Sequence, residues 1–125
     1  MKVGLFLTNQ QHLETDMVTA LDEQIAMVHA ARDNGWDSLF CGQHYLNEGN
    51  NKQLQLVPFL TRLIPEAGHM TTGLGVMLIN LHNPVYIAET VATLDIIASA
   101  TSSSGLVSAI GTWSSTPSMS PRVPV

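Results

Sequence analysis

The sequence predicts an α/β fold in which a parallel sheet is covered by helices. Three observations predict it. Short strand-forming runs recur at 3–7, 36–41 and 74–79, their starts about 35 residues apart, the size of a strand–helix–strand unit. Each run is followed by a polar loop and then by apolar residues at helical spacing. The runs are nearly continuous in apolar residues and do not alternate with polar ones, the pattern of strands buried in a parallel sheet.

The first strand, "VGLFL", runs into the polar loop "TNQQHLETD". One lysine, a short apolar run and no small-residue cleavage site make the N-terminus a strand and not a signal peptide. Thr15 or Asp16 is suited to cap a helix whose apolar positions are Met17, Leu21, Gln24/Ile25, Val28 and Ala31, with Asn34-Gly35 as its stop. The strand at 36–41 leads into the loop "GQHYLNEGNN". A second helix is expected from near Pro58, which fits a first turn. Its apolar face is Phe59, Leu60, Leu63 and Ile64, and Pro65 and Gly68 erode its end. The strand at 74–79 is followed by "NLHNP" and a third helix over 85–97, with Ala88, Val91, Ala92 and Asp95 spaced around it.

Every strand thus ends in a loop carrying a histidine: His12, His44 and His82. Ligands of parallel α/β folds bind at the carboxyl ends of the strands, which puts "GQHY" at the functional end.

Composition limits the partners. A net charge of −5 with only five Lys plus Arg offers no basic patch, which argues against nucleic acid and against an anionic membrane. The apolar run around 74–79 is far short of the ~20 residues of a spanning helix. With one cysteine, Cys41, there is no internal disulfide, and a cytoplasmic location is expected.

A fourth strand is expected near residue 103. The sequence there, "SATSSSGLVSAIGTWSSTPSMSPRVPV", is rich in Ser, Thr and Pro and lacks an amphipathic period. By composition it reads as a disordered tail. The expected division is a structured part over 1–98 and an irregular tail over 99–125.

"VGLFL", "HAARDNGWDSLFCGQHY" and "LGVMLINLHNPVYIAETVATLDIIA", in that order and spacing, resemble the bacterial luciferase-like, flavin-dependent monooxygenases over residues 1–98. The resemblance implies a (β/α)8 TIM barrel of which this chain holds an N-terminal fragment, about three βα units, followed by the tail. It also implies reduced FMN (a deazaflavin coenzyme in some members), dioxygen, a small organic substrate, a separate flavin reductase, and frequent homo- or heterodimers. The family motif after the third helix, "LD-x-x-S-x-G-R-F" and then a glycine-rich strand, is departed from after Ile97. A one-base slip accounts for the departure. Read one base earlier, codons for Ser of the TCN type give apolar residues. Residues 109–113 become compatible with Tyr-Arg-Asp-Val, and 114–121 with Glu-Phe-Asp-Ala-Phe-Asp-Val-Pro. The expectation is that residues from about 100 onward are an out-of-frame translation.

Carried onto this sequence, the resemblance makes His44 the catalytic position, an imidazole that hydrogen-bonds the flavin's oxygen adduct or the substrate and exchanges a proton near neutral pH. Gln43 stands where many relatives have Glu. Gln43 and Tyr45 are expected at the substrate, and Asn80 and Leu81, with Leu7 and Thr8, at the cofactor. His82 and Pro84 read as architecture of the third helix's start. Trp36 and Cys41 read as core, His29 and His69 as surface, and Glu89 and Asp95 as packing or ion-pairing carboxylates. His12 carries no assigned role.

Two other readings compete. His12, His44 and His82 converging at one face would suit a metal-dependent barrel hydrolase, although no His-x-His pair or strand-end Asp accompanies them. A non-catalytic fragment is the other, because a barrel closes only with eight strands. On the family reading the chain is a flavin-dependent monooxygenase segment, inactive alone. Nothing in the sequence names its substrate.

Overall fold

Four strands pair side by side, all parallel, in the order of the chain. The computed structural model describes residues 1–45, 49, 51–101 and 106–111. Its elements are β1 (Gly4–Leu7), α1 (Met17–Asp33), β2 (Ser38–Cys41), α2 (Leu56–Ala67), β3 (Thr71–Leu78), a single 3-10 turn (Ile79–Leu81), α3 (Pro84–Ala100) and β4 (Leu106–Gly111). Leu7 is level with Cys41, and Cys41 with Leu74. The three strand–helix units predicted from the sequence are present. Among the described residues no helix is long and apolar enough to cross a membrane.

Helices α1 and α3 start on residues suited to it. The Asp16 carboxylate accepts from the Thr19 backbone N–H at 2.9 Å and from its hydroxyl at 2.8 Å, closing the N-terminus of α1. Gly35, with φ +72°, provides the left-handed turn that ends it. Asn83 caps α3 through the Val85 N–H, and Pro84 occupies its first position. The second helix begins at Leu56, two residues before the expected Pro58. The reason is a long-range cap, the Gln43 side-chain oxygen accepting from the Leu56 N–H at 2.9 Å.

One face of the sheet is packed and the other is not. Leu7, Leu39, Cys41, Thr72 and Leu74 are buried against the helices, where Val28, Leu60, Leu63, Ile64 and Leu94 meet them. The period of two in a strand sends Gly4, Phe6, Phe40 and Gly73 to the opposite face, and Phe6 there is 54% exposed. In a barrel this is the inner face. Residues of α1 and α2 are further joined at Glu66, whose carboxylate is 2.6 Å from both His29 Nε2 and Arg62. His29 first, then Arg62, hold that carboxyl below the usual glutamate range.

Two further boundaries differ from expectation. β3 begins at Thr71 and not at 74, because Thr71 and Thr72 continue the ladder against Ser38 and Leu39. The segment expected to lack regular structure contains β4, paired in parallel with β3 from Thr72↔Leu106 to Leu78↔Gly111. An open strand edge presents unpaired N–H and C=O groups, and a nearby run rich in Leu, Val and Ile satisfies them. The other tail residues, 102–105 and 112–125, lie outside the described residues, as does most of the loop at 46–50.

Candidate functional site

A cavity of about 420 Å³ opens at the carboxyl ends of the strands, within the usual size of small-molecule sites. β1 contributes Phe6, the residue after it Thr8, the loop after β2 residues 42–45, and β3 Gly75, Val76 and Leu78. The floor is apolar and tightly fitted. The Phe6 ring lies across β2 and β3 so closely that a Cβ added at Gly42 would come within 2.9 Å of it, and one added at Gly75 within 3.0 Å. Glycine at both places leaves room for the far edge of that ring. The β3 ladder shifts register between Gly75 and Met77, the Gly75-Val76 peptide is cis, and Val76 is left 43% exposed. Among the described residues no Lys or Arg lines the cavity.

The rim is polar and held by two interlocking loops. Gln11 and Lys52 exchange backbone hydrogen bonds of 2.9 Å in both directions, and the Lys52 ammonium donates to the Thr15 carbonyl at 3.1 Å. Asn9, at the end of β1, is buried with φ +57°. Its amide nitrogen donates to the Leu54 carbonyl at 2.6 Å, while its Oδ1 is buried with no partner among the described residues. The segment so anchored carries Gln53. Its Oε1 accepts from the backbone N–H of His44 at 2.9 Å, and its Nε2 donates to Asn51 Oδ1 at 2.7 Å. Beside the cavity, Tyr45, His82 and Tyr86 form a row of rings with centroids 6.2 and 6.0 Å apart. A narrower crevice runs between them and the start of α2.

Of the residues singled out in the sequence, Thr8, Gln43, His44 and Tyr45 come together at the cavity. Leu7 does not: it faces the helices and is 5% exposed, since adjacent strand residues point to opposite faces. Asn80 and Leu81 lie in the turn after β3 and line neither space. His82 lines only the crevice. The sequence reading missed Phe6, Val76 and Leu78, although alternation counted from the buried Leu7 would have marked Phe6. No local signal marks Gln53. His29, expected as a plain surface residue, is half-buried and pairs with Glu66, whereas His69 is exposed with its ring 3.0 Å from the Trp36 carbonyl. Cys41 is buried in the core, which pushes its thiol up to about 12. No three His, Cys, Asp or Glu side chains among the described residues are grouped so as to hold a metal ion.

The family model for luciferase-like monooxygenases matches residues 1–102. The chain belongs to that family. The structure of the luciferase-like chain is also similar to the solved structure of apo-MsnO8, with a TM-score of 0.75 and 18% identity over 89% of this chain. At that identity the likeness speaks for the fold, a partial TIM barrel. The luciferase-like chain spans about a third (32%) of the length of that solved chain. No curated protein sequence matches it.

Proposed function

We propose that this chain forms the first part of a flavin-dependent monooxygenase site, one that uses reduced FMN and dioxygen on a small organic substrate. The observation that carries the reading is the convergence of three strand ends of a luciferase-like chain on one cavity with an apolar floor and, among the described residues, one imidazole on its rim. Phe6 and Val76 suit the face of a flavin ring, and Gln43, His44, Tyr45 and Thr8 supply polar atoms around it. The fit is to the ring only. Among the described residues the lining has no cation for the phosphate of FMN. A deazaflavin coenzyme has a ring of the same shape and fits the same floor.

When bound, the flavin supplies the oxygen chemistry. The role of this chain's residues is to bind, orient and keep water out. His44 is the group that holds or delivers a proton at the rim. Tyr45 borders both the cavity and the crevice and shapes the way in for substrate. The site works with a reductase as the source of reduced flavin and belongs to proteins that carry the further barrel strands. Binding is therefore the property to test on this chain.

Titration of the purified chain with riboflavin and with FMN, followed by quenching of flavin fluorescence, tests it. Both should bind with similar affinity, because nothing in the lining distinguishes the phosphate, and Val76→Asp should remove both. No saturable quenching by either, or binding unaffected by Val76→Asp, would overturn the reading.

A further inference from the structure

We infer that Gln53 is the positioning residue for His44: its side-chain oxygen fixes the backbone of the imidazole-bearing turn at the cavity rim. The inference rests on the proposed role of His44 and extends it to a residue nine positions away in the chain's polar loop. His44 is exposed, and its turn follows β2 directly. A turn of that kind is held only where its backbone groups find partners, since water competes for each of them. For His44 that partner is Gln53 Oε1 at 2.9 Å.

Gln53 is suited to the task because its own amide is held at both ends. Its Nε2 donates to Asn51 Oδ1 at 2.7 Å, so the oxygen is the atom turned to His44. Its backbone is held in turn. Lys52 on one side is bridged twice to Gln11, and Leu54 on the other accepts from the buried Asn9. Both anchors lie just beyond β1. The loop after the first strand therefore sets where the histidine after the second strand stands. The neighbouring Gln43 ties the same turn to the N-terminus of α2, so the turn is fixed on both sides of its backbone. The path from Asn9 through Leu54 and Gln53 to His44 is a chain of direct contacts.

Two substitutions separate positioning from general loop stability. Gln53→Met keeps the length of the side chain and removes the acceptor, while Gln53→Glu keeps the acceptor. Amide hydrogen exchange and the three-bond couplings that report the His44 side-chain rotamer are measured by NMR on the full chain without flavin. In Gln53→Met the His44 amide should exchange about threefold to tenfold faster, the worth of one hydrogen bond. Its couplings should move toward rotamer averaging, and the Gln11 and Lys52 amides should keep their protection. Gln53→Glu should retain both His44 signatures. Unchanged exchange and couplings in Gln53→Met would overturn the inference, and so would loss of protection that spreads to Gln11 and Lys52. Neither readout needs flavin, so a failed flavin titration and a failed positioning test are separate results.

Discussion

Gly42→Ala tests the most demanding packing feature of the cavity. The added methyl would lie 2.8 Å from the Gly75 carbonyl oxygen and 2.9 Å from Cζ of Phe6. Carbon atoms prefer about 3.5–4.0 Å, so both contacts are repulsive. The Phe6 ring can turn away at modest cost, but the Gly75 carbonyl belongs to the neighbouring strand. Overpacking of this kind costs about 1–3 kcal/mol. Gly42 is not among the residues with positive φ, so alanine also returns about 0.4–1 kcal/mol by restricting the unfolded chain. The net expectation is a loss of about 1–2 kcal/mol. With a urea m-value of about 1–3 kcal/mol/M, the midpoint of urea unfolding, followed by far-UV circular dichroism, should fall by roughly 0.3–2 M. A second variant divides the effect. In a Phe6→Leu background the ring contact is gone and the carbonyl contact stays, so Gly42→Ala should cost less but still be destabilising. A Gly42→Ala midpoint equal to or above that of the parent would refute the reasoning, since β2 and β3 would then not be held at the separation that closes the cavity floor.

Two further outcomes are expected. Because Cys41 is buried and its thiol is pushed up to about 12, almost no thiolate exists at pH 8; iodoacetamide should label it only when urea unfolds the chain, and rapid labelling of the native chain would contradict the assignment of Cys41 to the core. If residues from about 100 onward are an out-of-frame translation, the encoding DNA read one base earlier should restore a luciferase-like continuation, and a family-like frame absent from all three readings would dispose of that proposal.

The order of strands and helices and the buried face of α2 were legible because they follow from period and composition, whereas Leu94 and Ala98, the buried residues of α3, were not singled out. The buried face of α2 (Phe59, Leu60, Leu63, Ile64) is the one that its spacing predicts. What escaped depends on contacts between distant residues. The early start of α2 comes from Gln43, thirteen positions upstream. The rim geometry comes from Gln53 and from the bridge between Gln11 and Lys52. A glutamine before a helix or in a loop has no local pattern that distinguishes a cap from a solvated side chain. Leu7 and Thr8 illustrate the opposite case. Both end the first strand in sequence, yet adjacent strand positions face opposite ways, so of the two only Thr8 reaches the cavity. That distinction was available from alternation alone. At 106–111 the local composition suggested no regular structure, and the open edge of β3 prevailed over it.

The three loop histidines show why equal sequence positions do not make an equal site. Leu7, Cys41 and Leu74 are level in the sheet, and β1 and β2 end there. β3 runs on for four residues to Leu78, which at about 3.3 Å per residue carries its end about 13 Å further along the strand direction. His82 comes four residues later still, after the 3-10 turn, and stands against Tyr45 and Tyr86 at the crevice. His12 is five residues beyond the end of β1, in a turn where its Nδ1 accepts from the Glu14 N–H at 3.4 Å. His44 is only three residues beyond Cys41, and it alone of the three lines the large cavity. Shared ligation of a metal by the three would need them at one depth, and the unequal lengths of strand and loop place them at three. One imidazole at the edge of a largely apolar cavity is a different arrangement from a cluster of metal ligands, and among the described residues no such cluster is present.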